Sequence, residues 1–201
     1  MKRFRCVRLT VLAIAACAVP GAPSPANAQT FSSSYTSTAP KDCRVKQYDG
    51  GSMRVCPGKA GLVVLVSEND VRETVSVGQS RTTAANEPAS GAWFKPFSSA
   101  GHTVEWRAAD GKPFAIIQRW RIADNSDPDK EGRPTAKPML AVTRLPPGAV
   151  CHVAYIDVQA NPNPNELARK AADDLARNFK CGKDGVHVIG ATGRAVSLAK
   201  Q

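Results

Sequence analysis

The chain has 201 residues, 42 % of them apolar and 22 % charged, and a formal net charge of +10. This composition excludes wholesale disorder and collagen-like repeats, and the length suits one domain with a core of its own. No internal stretch reaches the roughly 20 apolar residues that a membrane-spanning helix needs.

The first residues alter those figures. A basic start (MKRFRCVR), an apolar run of 11 residues over 9–19 and a small-residue stretch ending in Ala26-Asn27-Ala28 have the layout of a secretory signal peptide. The cleavage point falls between Ala28 and Gln29. The apolar run is too short to act as a membrane anchor. A rival cut lies before Cys17, because Ile14-Ala15-Ala16-Cys17 has the pattern of a bacterial lipoprotein site. Residues 18–40, rich in Pro, Ser, Ala and Thr, would then be a tether. Removing residues 1–28 takes away Lys2, Arg3, Arg5, Arg8, Cys6 and Cys17 but no acid, which leaves 173 residues at +6 with four cysteines. The expected organisation is a signal peptide over 1–28, a disordered N-terminal tether over 29–40 and a single β-rich domain over 41–201.

An even cysteine count in an exported chain reads as disulfides. The segment CRVKQYDGGSMRVC begins the domain. Asp49-Gly50 is a hairpin signal of the type I′ kind. Counting outward pairs Tyr48 with Gly51 and brings Cys43 opposite Cys56 at a non-hydrogen-bonded position, where Cα atoms are ~4.5 Å apart, inside the disulfide range. Strands are expected over 62–66 and 71–77, divided by Ser67-Glu68-Asn69-Asp70, and residues 81–90 read as polar and weakly structured. Residues 102–124 form a hairpin around Asp110-Gly111. A loop of Asp110 to Lys112 sets Ala108 against Phe114, Trp106 against Ile116 and Val104 against Gln118, keeping the large apolar side chains on one face. The Pro- and Gly-rich segment 124–138 is expected to be an exposed, mobile loop.

Strands over 139–145 and 149–158 follow, joined at Pro146-Pro147-Gly148. Asn163 can cap a helix with Pro164 at its first position and Glu166 completing a capping box. Leu167, Ala168, Ala171, Ala172, Leu175 and Phe179 share one face of that helix, with Arg169, Lys170, Asp173 and Arg177 on the other. A strand of this length and the helix running back along it are each ~25 Å long, which returns Cys181 to Cys151. A short strand over 186–189 closes the chain. The fold class is α+β: a β-rich antiparallel sheet or sandwich with one C-terminal amphipathic helix, stapled by Cys43–Cys56 and Cys151–Cys181.

The chemistry-bearing patterns are few. Asp127, Asp129, Glu131 and Gly132 occupy the first positions of a calcium-loop pattern, but Pro138 stands where the bidentate Glu belongs. His102, His152 and His187 lack metal-ligand spacing, and an odd separation puts His152 and Asp157 on opposite faces of a regular strand. Ser197 to Lys200 matches S-x-x-K without the companion motifs of a serine enzyme. No cofactor or metal is expected. The reading is a non-enzymatic exported protein, periplasmic or tethered to the envelope through Cys17, that binds an envelope protein or an anionic glycan or lipid. Nucleic acid is excluded as a partner by export. Candidate contact residues are Trp93, Arg107, Arg119, Trp120 and Arg121. A half-buried sheet with Trp inside and Arg outside accounts for the same alternation. The alternatives are a small hydrolase whose residues converge only in three dimensions and a structural envelope lipoprotein.

Overall fold

A computed structural model describes residues 29–200; the expectations for residues 1–28, including both cleavage points, lie outside the described residues. Ten strands follow in chain order: β1 (Phe31–Ser37), β2 (Arg44–Tyr48), β3 (Gly51–Pro57), β4 (Val63–Asn69), β5 (Arg72–Gly78), β6 (Ser98–Ala109), β7 (Lys112–Pro128), β8 (Pro134–Arg144), β9 (His152–Asp157) and β10 (His187–Val188). Three helices accompany them: α1 (Arg81–Ala85), α2 (Pro164–Ala171) and α3 (Arg194–Ala199). The hydrogen-bonded order runs β10-β9-β8-β7-β6-β5-β4-β3-β2, with β1 also on β6.

The hairpin β2–β3 has the expected register, Tyr48 opposite Gly51, and the Cys43–Cys56 bridge spans a Cα–Cα distance of 4.3 Å. Its turn departs from type I′, because Gly50 alone carries a positive φ and Asp49 does not. The next hairpin is tighter than expected. β4 continues through Asn69, and the turn is Asp70-Val71, both residues left-handed. In β6–β7 the turn is the two residues Asp110-Gly111, closed by Ala109 opposite Lys112. A bulge then leaves Phe114 unpaired and restores Trp106 opposite Ile116 and Val104 opposite Gln118, the register that alternation demands. The 124–138 segment is not a mobile loop. Its ends extend β7 and β8, with Asp124 opposite Thr135 and a short turn closed by Asp129 and Arg133.

The sheet is mixed rather than purely antiparallel. The two parallel contacts, β5 with β6 and β9 with β10, join strands separated by the connections 79–97 and 158–186. Parallel neighbours require a crossover connection, and these two segments carry α1 and α2. The first also corrects residues 81–90: Ser80 and Thr83 make a capping box that starts α1.

The tether expectation for residues 29–40 is overturned by β1, which pairs with β6 from Phe31 opposite Ala109 to Ser37 opposite Thr103. The Ser/Thr-rich composition hid a strand whose alternate side chains have specific partners. Thr36 Oγ1 accepts from Trp106 Nε1 at 2.8 Å, and Ser33 Oγ accepts from Arg107 at 2.7 Å.

Two cores flank the central strands. Val64, Val66, Val75, Val77, Trp106, Ile116, Trp120 and Ile122 fill the space between the β2–β5 layer and β6–β9. Trp106 reaches this core because Gly58 has no side chain; a Cβ there would stand 2.7 Å from the indole. On the opposite face Ala115, Ile117, Leu140, Val142 and Ile156 pack against Ala168, Ala171, Ala172, Ala176 and Phe179. The near-continuous buried run Phe114–Gln118 follows from this double coverage of β7.

In place of the expected single C-terminal helix stand two short helices and a π-helical turn. α2 ends at Ala171 and continues as a π-helical turn over Ala172–Ala176, while α3 is separate and packs its Ala195, Val196 and Leu198 into the first core. Asn163 makes no side-chain cap. The expected polar face of α2 also turns partly inward. Asp173 accepts two hydrogen bonds from buried Arg107, at 3.0 and 2.6 Å, and Arg169 donates to Glu105 at 2.6 and 3.2 Å. The Cys151–Cys181 bridge anchors the end of this segment, with Cα atoms 5.9 Å apart.

The buried Arg107 makes a test of this helix layer. Asp173→Ala is expected to cost about 3 kcal/mol by leaving its guanidinium without a counter-charge. Urea denaturation reads the loss. A cost below about 0.5 kcal/mol would mean that the pair carries no structural role.

Candidate ligand-binding face

The outer face of the β2–β5 layer is set by strand alternation. Cys56, Val64 and Val77 point into the core. The residues out of phase with them are Arg44, Lys46 and Tyr48 on β2, Met53 and Val55 on β3, Ser67 on β4 and Thr74 on β5. α1 and the 3-10 turn over Pro88–Gly91 cross only part of this face, burying Leu65 and Ser76. Two grooves stay open on either side of Met53.

The first is a cleft of about 490 Å³ between Tyr48 and Trp93, with Ser67, Thr74, Asn69 and Ser90 presenting hydroxyl and amide groups and the Arg72–Asp70 ion pair in its lining. Its walls are held in place. Tyr48 Oη donates to the main-chain oxygens of Ser52 and Glu68, at 3.2 and 2.9 Å. The ring passes close to Gly51, where a Cβ would meet the Glu68 oxygen at 2.2 Å and the ring at 2.9 Å. Arg72 donates to the Lys95 oxygen at 2.9 Å and pairs with Asp70. Its guanidinium lies 5.7 Å from the Trp93 ring centre and 4.9 Å from that of Phe97, a cation–π arrangement.

The second groove, about 570 Å³, is lined by Arg44, Lys46 and Arg81 around Met53, Val55 and Val63. None of these three cations is in a salt bridge among the described residues. No carboxylate lines this groove.

The five candidate contact residues separate here. Trp93 is 57 % exposed and forms a cleft wall. Arg121 is exposed and borders a shallow hollow with Phe97 and Val71, next to the cleft. The other three do not belong to this surface. Trp120 is 1 % exposed, inside the core. Arg107 is buried against α2, and Arg119 on the same face lies 3.4 Å from Asn165 at the helix start. Sequence reasoning missed Arg72, Tyr48 and the Arg44–Lys46–Arg81 group. Alternation along β2 carries the signal for Arg44, Lys46 and Tyr48. Arg81 and Trp93 reach this face through the long β5–β6 connection, which no local pattern foretells.

His152 is placed differently from expectation. A bulge at Val153, between the pairs Val142–Ala154 and Thr143–His152, shifts the alternation. His152 thus shares a face with Tyr155 and Asp157, instead of opposing Asp157. It is enclosed by Phe94, Trp120 and Tyr155, with ring centroids 5.9, 6.3 and 5.5 Å away. His152 Nδ1 and Tyr155 Oη are hydrogen-bonded at 2.8 Å. Burial lowers the His152 pKa to about 4 and raises that of Tyr155. Asp157 is occupied elsewhere, accepting from the backbone N–H groups of Gln159, Ala160 and Val196. His102 and His187 are exposed, and no histidine lines either groove.

The acidic 124–138 segment consumes its own carboxylates. Asp124 is held well below the usual carboxylate range, chiefly by Arg194 and by Ser126. Asp127 pairs with Lys137 and Asp129 with Arg133. No group of three His, Cys, Asp or Glu residues suited to a metal occurs among the described residues. Ser197 donates to the Gly193 oxygen within α3.

No protein-family model, curated protein or solved structure matches this chain.

The His152 environment gives a pH dependence with a defined sign. Between pH 6.5 and about 4 the unfolded chain takes up a proton that folded His152 refuses, so stability falls as pH falls through that window. The loss approaches about 3 kcal/mol at its lower end. Urea unfolding at pH 7 and pH 4.5 measures it. His152→Gln is expected to flatten this part of the profile, and an unchanged slope in that variant would assign the proton to another group.

Proposed function

We propose that this chain is an exported, non-enzymatic protein that binds an anionic component of the cell envelope on the outer face of its β2–β5 layer. The observation that carries the reading is the pair of open grooves on that face, one walled by Tyr48 and Trp93 and the other lined by three cations without acidic partners. Concave sites with apolar walls and a few convergent polar groups are the usual form of ligand sites. Two disulfides suit an oxidising compartment, in keeping with the leader-like residues 1–28 and the mature charge of +6. The buried, charge-averse His152 and the occupied Asp157 favour binding over hydrolysis.

Trp93 is exposed while Trp106 and Trp120 are buried, so tryptophan emission reports directly on the cleft. Dextran sulfate is expected to shield Trp93 from acrylamide quenching. The response should vanish in Trp93→Phe and weaken at least tenfold when Arg44→Gln, Lys46→Gln and Arg81→Gln are combined. If Trp93→Phe responds like the natural protein, or if the triple variant binds equally well, the ligand sits elsewhere and the reading fails. The intact mass of the exported protein is expected to correspond to residues 29–201. An acylated chain beginning at Cys17 would support the envelope-anchored alternative.

A further inference from the structure

The two grooves lie on one strand face and are neighbours across a strand pair, since Met53 of the second groove stands opposite Ser67 of the first. They differ in chemistry. The Tyr48–Trp93 cleft offers two aromatic walls and a floor of hydroxyl and amide groups. The neighbouring groove offers positive charge over an apolar floor. A ligand that uses both must carry flat C–H faces, many hydroxyls and repeated negative charge along one chain.

We infer that the ligand is an acidic polysaccharide, a chain of pyranose rings bearing carboxylate groups, with one ring held between Tyr48 and Trp93 and its neighbours' carboxylates on Arg44, Lys46 and Arg81. The inference rests on the proposed anion-binding reading and specifies its ligand class. The C–H faces of a pyranose ring pack on aromatic side chains, and the ring hydroxyls meet the side chains of Ser67, Thr74, Asn69 and Ser90. The walls need little ordering on binding, since Tyr48 is fixed through its hydroxyl and Trp93 lies over the anchored Arg72; preorganisation of this kind reduces the entropy lost. Arg72 itself is spent on Asp70 and Lys95, so the charge recognition falls to the second groove.

Other occupants fit less well. A peptide adding to a sheet edge would use the backbone of β2, not a cleft on the sheet face. A lipid surface would be met by Val71 and Phe97, the exposed apolar side chains at the hairpin tip and beside it, rather than by the Tyr48–Trp93 cleft and the cationic groove on the sheet face.

The test is calorimetric titration of the protein with oligogalacturonate, its fully methyl-esterified form, polyglutamate and vesicles of anionic phospholipid. Oligogalacturonate is expected to bind, its methyl ester at least tenfold more weakly, and polyglutamate more weakly than oligogalacturonate. Trp93→Ala should weaken both sugar ligands tenfold or more. The combined Arg44→Gln, Lys46→Gln and Arg81→Gln variant should weaken oligogalacturonate alone. These substitutions are at exposed positions, and near-ultraviolet circular dichroism checks that the core is intact. Polyglutamate binding equal to oligogalacturonate, with Trp93→Ala without effect, overturns the saccharide assignment and leaves the anion-binding reading standing. Binding to vesicles but to no soluble sugar overturns it in favour of a lipid surface. No binding to any anionic probe overturns both.

Discussion

Strand β6 has two partners along a single edge. Its other edge pairs with β7 on both sides of an irregularity at Gly101–Thr103, but on this side β5 meets it at Ser98 and β1 takes over from Thr103 to Ala109. A strand that changes partner must break its ladder, and a buried break leaves polar groups that need other partners. Each is supplied. Glu73 on β5 accepts the Ala100 N–H at 2.7 Å, Gln118 on β7 donates to the Gly101 oxygen at 2.7 Å, and Thr38 N–H donates to the His102 oxygen at 2.7 Å. Glu73 also accepts from Arg54 on β3 at 2.7 Å, so one carboxylate joins the β2–β5 layer to the central strands.

The rest of the architecture follows from that exchange. Because β5 leaves β6 after one residue pair, the β2–β5 layer folds over the central strands and encloses Trp106 and Trp120 between them. Its far side becomes the surface that carries the grooves. The β5–β6 connection crosses between the two environments. Phe94 is 2 % exposed and packs edge-on against Trp120 at 5.0 Å, while its neighbour Trp93 faces outward. Anchoring one aromatic residue in the core positions the next in the cleft. On the opposite side, Arg107–Asp173 and Arg169–Glu105 tie α2 and the π-helical turn after it to β6, and β1 contributes Ser33 to the same polar group.

Local features of the sequence carried much of this. The Asp49-Gly50 hairpin gave the Cys43–Cys56 pairing because a two-residue turn sets register for several residues outward. The 149–181 strand and helix lengths returned Cys181 to Cys151. Interactions between distant segments were not legible. β1 has a tether's composition, and its strand state comes from the edge of β6. The bulge at Phe114 restores the register that alternation favours, but the bulge at Val153 shifts alternation by one residue with no local signal and reverses the side on which His152 lies. All the candidate contact residues but Trp93 were chosen for clustering in sequence around one hairpin. Strand alternation and the α2 layer then distributed them, leaving Trp93 and Arg121 outside and Trp120 and Arg107 within. The surface that carries the proposed site assembles residues from β2 to Trp93, and Arg81 joins Arg44 and Lys46 from a distant part of the chain.

Hydrogen exchange on Glu73→Gln tests the partner exchange directly. A glutamine retains the shape of Glu73 but cannot accept from Arg54 and Ala100 together. Amides in β3, β4 and β5, such as those of Val64 and Val75, are expected to lose about 1–3 kcal/mol of protection through a sub-global opening, while those of Ile117 and Val142 in β7 and β8 keep theirs. Equal loss across both layers, or none in either, would contradict the view that this carboxylate joins them.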